Sequence, residues 1–187
     1  MTAILAPSVR PETGDDRLYE VVYGQLKERL TGTRQNLIAC RINCLIGRFD
    51  PAEQLGHPAI ENLFVLDAAS ELQRRPDFAF VARQQWSGLP PDTNAWDVVP
   101  DWMVEINSPS NSADEVIEKV DEYFRAGARL VWVIYPNSQR VYVYTSPTDV
   151  TIYEASDELT AEPVLPAFRL QTDALFEGIA VSAPAKP

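Results

Sequence analysis

The chain of 187 residues is poor in the side chains that bind transition metals. It contains one histidine, His57, and two cysteines, Cys40 and Cys44. Zinc sites need several Cys and His ligands, so a conventional zinc site is excluded. The two cysteines lie four positions apart in a helix-like stretch with apolar neighbours, and we expect both to be buried as free thiols. His57 is expected in an exposed turn.

Long apolar runs are also missing. No run of about 18 apolar residues occurs, as a membrane-spanning helix would need. The opening residues, MTAILAPSVRPETGDD, do not combine a basic segment with an apolar one as a signal peptide does. The sequence therefore predicts a cytoplasmic protein without a membrane span.

Basic residues are scarce relative to acidic ones. The chain has 16 Lys and Arg against 27 Asp and Glu, and its formal net charge is −11. Because nucleic-acid affinity depends mainly on Lys and Arg contacts to phosphate, this charge argues against a broad DNA-binding surface. A local basic groove, or carboxylates that bind a divalent cation, is still compatible with this charge.

The length and the 45% hydrophobic content suit one folded domain. Residues 1–16 and 181–187 lack periodicity and are predicted to be loose ends of a single domain at 17–180. Hydrophobic patterns predict two strands around Gly24 within 18–30, helices at 33–49, 113–126 and 172–178, and strands at 60–68, 77–82, 101–107, 129–136, 140–146 and 150–155. This order predicts an α+β, or mixed α/β, fold.

The helix at 113–126 has clear start and stop signals. Ser112 and Glu115 form a capping-box pattern, and Gly127 can adopt the left-handed conformation that ends a helix. Lys119 lies at the border of the apolar stripe, so its stem can cover the sheet while its ammonium reaches a polar site. The predicted stripe is Val116, Ile117, Val120, Tyr123 and Phe124.

An acid, Glu105, interrupts the apolar strand at 101–107. Trp102, Val104 and Ile106 point to one face, whereas Asp101, Met103, Glu105 and Asn107 point to the other. Either Glu105 faces solvent, or it belongs to a metal site completed elsewhere. If the strand at 77–82 pairs antiparallel with this one, Asp77 lies beside Glu105, at the end away from the 83–100 connection. The rise per residue of the following helix, which turns back over the sheet, places Lys119 level with Glu105 along the strand direction.

Two carboxylates and a lysine are the groups that metal-dependent phosphodiester hydrolysis needs. Carboxylate oxygens bind Mg²⁺, which activates water, and an ammonium stabilises charge on the attacked phosphate. Simpler interpretations exist as well. Lys119 could form a surface i,i+4 pair with Glu115, and Asp77 after Pro76 could merely begin a strand.

The runs 76-PDFAFV-81 and 100-PDWMVEINSPSNSADEVIEKVDEYFRAGARLVWVIYPNSQRVYVY-144 give a more specific indication. Together they resemble the Uma family of restriction endonucleases, within the PD-(D/E)XK nuclease superfamily. The resemblance extends from about Tyr19 to Phe176, and the opening YEVVYG matches the family's first hairpin. It implies a restriction-endonuclease-like core with a central mixed sheet flanked by helices.

The resemblance also implies roles for individual residues. Asp77 and Glu105 would bind the metal, with Ile106 as a further metal-binding position, and Lys119 would be the signature lysine. Glu20 matches a family glutamate that could extend the metal shell. The superfamily's usual lysine position, two residues after the acid, is Asn107 here, so Lys119 would replace it from the following helix.

The resulting hypothesis is a Mg²⁺- or Mn²⁺-dependent DNA endonuclease that acts as a homodimer. The loop at 88–100 is predicted to form a dimer contact or to cover a sheet edge. The alternative is a catalytically inactive nuclease-fold module for protein or nucleic-acid binding. The basic DNA contacts are expected to come from Arg34, Arg41, Arg74, Arg75 and Arg83.

Overall fold

The computed structural model describes residues 18–85, 95–108 and 111–179. The predicted loose ends at 1–16 and 181–187 lie outside these ranges. The helices are α1 (Thr33–Phe49) and α2 (Ala113–Ala126), with a 3-10 helix at Thr172–Leu175. The strands are β1 (Leu18–Val22), β2 (Gln25–Arg29), β3 (Gly56–Ile60), β4 (Phe64–Asp67), β5 (Leu72–Arg74), β6 (Phe78–Ala82), β7 (Trp102–Ile106), β8 (Leu130–Tyr135), β9 (Arg140–Ser146), β10 (Asp149–Tyr153), β11 (Glu158–Thr160) and β12 (Arg169–Gln171).

The central sheet has six strands in the order β10-β9-β8-β7-β6-β3. Only the β7 and β8 pair is parallel among these neighbours of the described sheet, and the other pairs are antiparallel. Parallel strands need a crossover connection, and α2 supplies it between β7 and β8. The predicted mixed α/β fold with a central mixed sheet is therefore confirmed.

The two long helices cover opposite faces of this sheet. Buried residues of α1, including Ile38 and Ile42, pack with Trp102 and Trp132 in one core cluster. Buried residues of α2 pack with Met103 and neighbouring strand residues in a second cluster. Because side chains alternate along β7, Trp102, Val104 and Ile106 enter the first core, whereas Met103 and Glu105 face α2. Glu105 is thus on a buried face.

Helix α2 begins and ends at the predicted signals. The Ser112 hydroxyl accepts a bond from the Glu115 amide, and the Glu115 carboxylate accepts one from the Ser112 amide. Gly127 ends the helix with a φ of 118°. The predicted apolar stripe is wrong at Ile117, whose surface is 55% exposed because it lies off the face that packs on the sheet. Lys119 is buried instead.

A second sheet of four strands, in the order β2-β1-β5-β4, lies beside the central one. The predicted hairpin around Gly24 is formed by β1 and β2, and Gly24 takes a φ of 77° at the turn. Glu20 pairs in register with Lys27, and Leu18 with Arg29. Directly opposite residues share a face, so Glu20 and Arg29 lie on the same face of the hairpin.

Several local predictions are corrected. The strand predicted at 60–68 is confined to β4, because Glu61 takes a φ of 52° and breaks the extended chain, and the strand β3 that ends at Ile60 was not predicted. Strands β5, β11 and β12 were not predicted, since three residues carry too little periodicity.

The described end of the 88–100 loop covers an edge of the second sheet, where Trp96 packs against Phe64. Residues 88–94 of that loop lie outside the described ranges.

The two cysteines are free thiols as predicted, but their predicted burial and the predicted position of His57 in an exposed turn are wrong. Cys40 and Cys44 are exposed, because the buried face of α1 is set by Ile38, Ile42 and Ile46, and the cysteines point away from it. His57 lies in β3, where its ring contacts Glu53 and Arg83. No helix within the described ranges has the length and apolar character to cross a membrane.

Candidate active site

The pairing of β6 and β7 brings Asp77 and Glu105 to one place. Phe78 pairs with Val104, so Asp77, one residue earlier, lies beside Glu105, one residue later. Both carboxylates are buried, with exposed fractions of 2% and 5%. The amide of Ile106 donates to Asp77 Oδ2 over 2.5 Å, which fixes the orientation of that carboxylate.

One nitrogen lies between the two carboxylates. Arg29 Nη2 is 2.7 Å from Asp77 Oδ1 and 3.4 Å from Glu105 Oε2, and Arg29 Nη1 is 3.5 Å from Glu20 Oε1. The guanidinium comes from the end of β2, so the hairpin of the second sheet inserts a positive charge into the cluster of acids. No sequence pattern had predicted a role for this residue.

Helix α2 contributes two further side chains. Lys119 Nζ lies 3.0 Å from Glu105 Oε2 and 3.3 Å from Glu20 Oε1. The Tyr123 hydroxyl donates to Glu105 Oε1. Lys119 and Tyr123 are one helical turn apart and therefore share a face. The surface pair predicted as the simpler role of Lys119 is absent from the described contacts, since Glu115 binds Lys27 instead.

A buried arginine, Arg74, joins two of the acids in this cluster, Glu20 and Glu122. Arg74 Nε lies 2.7 Å from Glu122 Oε2, and its Nη1 lies 3.0 Å from Glu20 Oε2. Only 2% of Arg74 is exposed. The amide of Arg75 also donates to Glu20 Oε1. Arg74 holds Glu20 in place, and the prediction that it contacts DNA is wrong.

The charges of this cluster are unequal. Within this cluster, as the structure describes it, the buried acids are four, namely Glu20, Asp77, Glu105 and Glu122, and the cations that contact them are three, namely Arg29, Arg74 and Lys119. Burial raises a carboxyl pKa, but Lys119 and Arg29 outweigh it at Glu105, whose pKa is lowered. The same cations together with Arg74 lower the pKa of Glu20 to about 2. At Asp77 burial outweighs Arg29 and raises the pKa to about 7.

The raised pKa of Asp77 predicts a dependence of stability on pH. An unfolded aspartate titrates near 3.8, so between about pH 4 and pH 7 the folded protein retains a proton that the unfolded chain releases. The contribution of Asp77 to the free energy of unfolding should therefore fall as pH rises, by up to about 1.4 kcal/mol per pH unit. The lowered pKa of Glu20 acts only below pH 4.5.

Urea unfolding of the metal-free protein from about pH 5 to pH 8 measures this slope. An asparagine side chain cannot titrate, so Asp77→Asn should gain stability relative to the wild type as pH rises through this range. A difference between the two proteins that is constant over the range would contradict the raised pKa.

The donor set suits a hard divalent cation. Asp77 Oδ1 and Glu105 Oε2 converge on a single cationic nitrogen, and Mg²⁺ typically takes one or two protein carboxylates and completes its shell with water and phosphate oxygens. Glu20 contacts the other guanidinium nitrogen, Arg29 Nη1, and its part in a metal shell stays a prediction. Within the described residues, no three acidic, His or Cys side chains form a group that could hold a metal.

The positions of Ile106 and Asn107 limit what they can contribute. The Ile106 side chain is buried in the first core, so only its carbonyl oxygen is chemically able to bind a metal. Its role there stays a prediction. Asn107 follows β7, and its backbone N–H donates to the Ile134 carbonyl. Lys119, not residue 107, carries the ammonium beside Glu105.

Sequence reasoning missed Arg29, Tyr123 and Glu122. The register of the hairpin could have revealed Arg29, since it shares a face with Glu20. Helical spacing could have revealed Tyr123, which lies four residues after Lys119. No pattern in the sequence distinguished the buried Glu122 from the exposed acids of the same helix.

The arrangement agrees with what the chain resembles. A family model named Uma2 and described as "Putative restriction endonuclease" matches residues 8–173. The chain belongs to the Uma2 family. The matched segment contains every residue of the cluster described above, from Glu20 to Tyr123. The resemblance inferred from the sequence motifs is therefore confirmed.

A solved structure supports the fold of this Uma2 member. The crystal structure of a protein from Anabaena variabilis ATCC 29413, described as "a putative nuclease belonging to DUF820", aligns with a TM-score of 0.73 and 18% sequence identity. The alignment covers 84% of this chain and 89% of that chain. Among curated proteins, none matches the chain. At this identity the likeness establishes a shared fold.

Proposed function

We propose that this Uma2 protein is an endonuclease that hydrolyses DNA phosphodiester bonds with Mg²⁺ or Mn²⁺ held by Asp77 and Glu105. The observation that carries the proposal is the convergence of these two buried carboxylates, from neighbouring strands, on one cationic nitrogen. Buried acids are costly unless a cation neutralises them, so this place is built to hold positive charge. The family and the solved neighbour are both described as nucleases.

Each side chain has a defined task in this proposal. A divalent cation, when bound, polarises a phosphate oxygen and lowers the pKa of a bound water. Ile106 orients Asp77 through its amide, and Tyr123 orients Glu105 through its hydroxyl. Lys119 is held at the carboxylates by Glu105, where its ammonium can stabilise negative charge that develops on a phosphate.

Glu20 acts as a positioning residue in this proposal. Its Oε1 lies 3.3 Å from Lys119 Nζ, so it holds the ammonium together with Glu105. Arg74 and the Arg75 amide fix Glu20 in turn. The role in the metal shell implied by the family resemblance is therefore replaced, in our proposal, by a role in orienting Lys119.

DNA contacts must come from a few local basic residues, because the net charge of −11 opposes nucleic acid elsewhere. With Arg74 buried, the remaining candidates among the predicted arginines are Arg34, Arg41, Arg75 and Arg83. Arg34 is hydrogen-bonded to Asn137, close to the end of β8.

The homodimeric state and the cytoplasmic location of the protein stay predictions.

Plasmid nicking tests the proposed activity. We expect the purified protein to convert supercoiled plasmid to nicked circles in the presence of Mg²⁺ or Mn²⁺, and to stop when EDTA removes the metal, because water activation depends on the cation. The measurement is the fraction of supercoiled DNA on a gel over time. Nicking that continues undiminished in EDTA would contradict a metal-dependent mechanism.

One observation favours the alternative, a nuclease fold without activity that binds protein or nucleic acid. Arg29 and Lys119 together supply two positive charges at the two carboxylates without any metal. A site whose charge is permanently satisfied by a protein side chain has no need of a cation. A titration with Mn²⁺ separates the two possibilities, since the inactive module would bind none at Asp77 and Glu105.

A further inference from the structure

Arg29 occupies the position that a metal would need. Its Nη2 atom contacts Asp77 Oδ1 and Glu105 Oε2 at once. A divalent cation that binds both oxygens would have to replace the contacts that this nitrogen makes with them. Guanidinium and metal therefore exclude each other, by contact and by charge.

The fit of Arg29 to this place is incomplete. Its Nε is buried without a hydrogen-bond partner in the described structure. Only the bond to Asp77 is short, whereas those to Glu105 and Glu20 measure 3.4 and 3.5 Å. A buried N–H without a partner carries a free-energy cost that withdrawal would relieve.

The segment that carries Arg29 is the least buried part of the site. Strand β2 is at the edge of the second sheet and pairs only with β1 among the described strands. The other four residues of β2 are exposed, and Leu30, which follows, is 88% exposed. Segments with few buried contacts open at low free-energy cost. The end of β2 can thus move without disturbing the core.

We propose that Arg29 is a resident counter-cation of the metal site, which pairs with Asp77 and Glu105 in the metal-free protein and must withdraw before a divalent cation binds. Arg29, at the end of β2, is then an internal plug whose closed state competes with the metal, while β1 keeps Glu20 in place. This inference rests on the proposed function, because it assumes that Asp77 and Glu105 are the metal ligands.

Mn²⁺ binding to the full chain, followed by the electron paramagnetic resonance signal of free Mn²⁺, tests the plug. If the closed state dominates, the apparent affinity is reduced by the fraction of open protein, and Arg29→Gln should bind Mn²⁺ at least about 10-fold more tightly than the wild type. Lys27→Gln is the matched control. It removes the same charge from the same strand at an exposed side chain, and we expect less than about a 3-fold change.

A second variant covers the case in which Arg29→Gln is unstable without metal. Arg29→Lys keeps the positive charge but loses the planar fork that contacts both carboxylates, and it should bind Mn²⁺ with an affinity between those of the wild type and Arg29→Gln. Thermal unfolding with and without Mn²⁺ gives an independent readout. The metal should raise the melting temperature of Arg29→Gln more than that of the wild type.

The outcomes separate this inference from the proposed function. Tighter binding in Arg29→Gln that is lost in the double variant with Glu105→Gln supports the plug. Unchanged or weaker binding in Arg29→Gln, with a wild type whose binding depends on Glu105, overturns the plug and leaves the metal site standing. If neither the wild type nor Arg29→Gln binds Mn²⁺, both the plug and the metal-dependent function are overturned.

Discussion

Replacement of Glu105 by glutamine is expected to lower the rate of plasmid nicking at least about 100-fold, since loss of even a residue that merely supports a metal ligand costs about 10- to 100-fold. Glutamine keeps the size of the side chain and an oxygen that can accept the Tyr123 hydroxyl. It removes the negative charge that binds Lys119 and, in our proposal, the metal. Initial rates with Mg²⁺ at matched protein concentration are the measurement.

Glu118→Gln provides the control for this variant. Glu118 is exposed on α2, and its replacement makes the same chemical change outside the buried cluster. We expect its nicking rate to stay within about 2-fold of the wild type, as surface substitutions have small effects. Circular dichroism shows whether Glu105→Gln is folded. A folded Glu105→Gln protein that nicks at the wild-type rate would show that the activity arises at another site or in another protein.

The part of the site that the sequence predicts is the part built from regular geometry. Alternation along two strands and a hairpin between them were enough to place Asp77 beside Glu105. A capping box and a fixed rise per residue located Lys119. Each of these two inferences needed only the repeat of one kind of secondary structure and one connection between neighbouring elements, so few assumptions had to hold at once.

The residues that were missed depend on how separate elements pack. Arg29 comes from a second sheet, and its contact with Asp77 depends on the angle between two sheets, which no local pattern encodes. Arg74 was assigned to the surface because arginine is exposed in most proteins. Its burial follows from the partners Glu20 and Glu122, which are 54 and 48 residues away in the chain.

The cysteines show the same limit on a smaller scale. Helical spacing placed Cys40 and Cys44 on one face of α1, and the structure keeps them there. That face is exposed, because Ile38 and Ile42 dock on the sheet. Spacing shows which residues share a face, whereas the competition between faces for the core decides which one is buried.

Substitution of Arg74 by methionine is expected to destabilise the protein by about 3–5 kcal/mol, the usual cost of removing one partner of a buried ion pair. Methionine fills most of the space of the arginine stem but leaves Glu122 and part of Glu20 buried without their cation. Urea unfolding monitored by tryptophan fluorescence measures the loss. The matched control is Arg140→Met, which breaks an ion pair of the same 2.7 Å length, with Glu154, at an exposed position.

The comparison isolates the effect of burial. Exposed pairs contribute about 0–1 kcal/mol, so Arg140→Met should change stability little, although the distance between the charged atoms is the same. Adding Glu122→Met to Arg74→Met should restore part of the loss, because the double variant no longer buries the unpaired carboxylate of Glu122. If Arg74→Met lowers the free energy of unfolding no more than Arg140→Met does, the four buried acids are stable without the third cation. The support that we assign to Arg74 behind Glu20 would then be wrong.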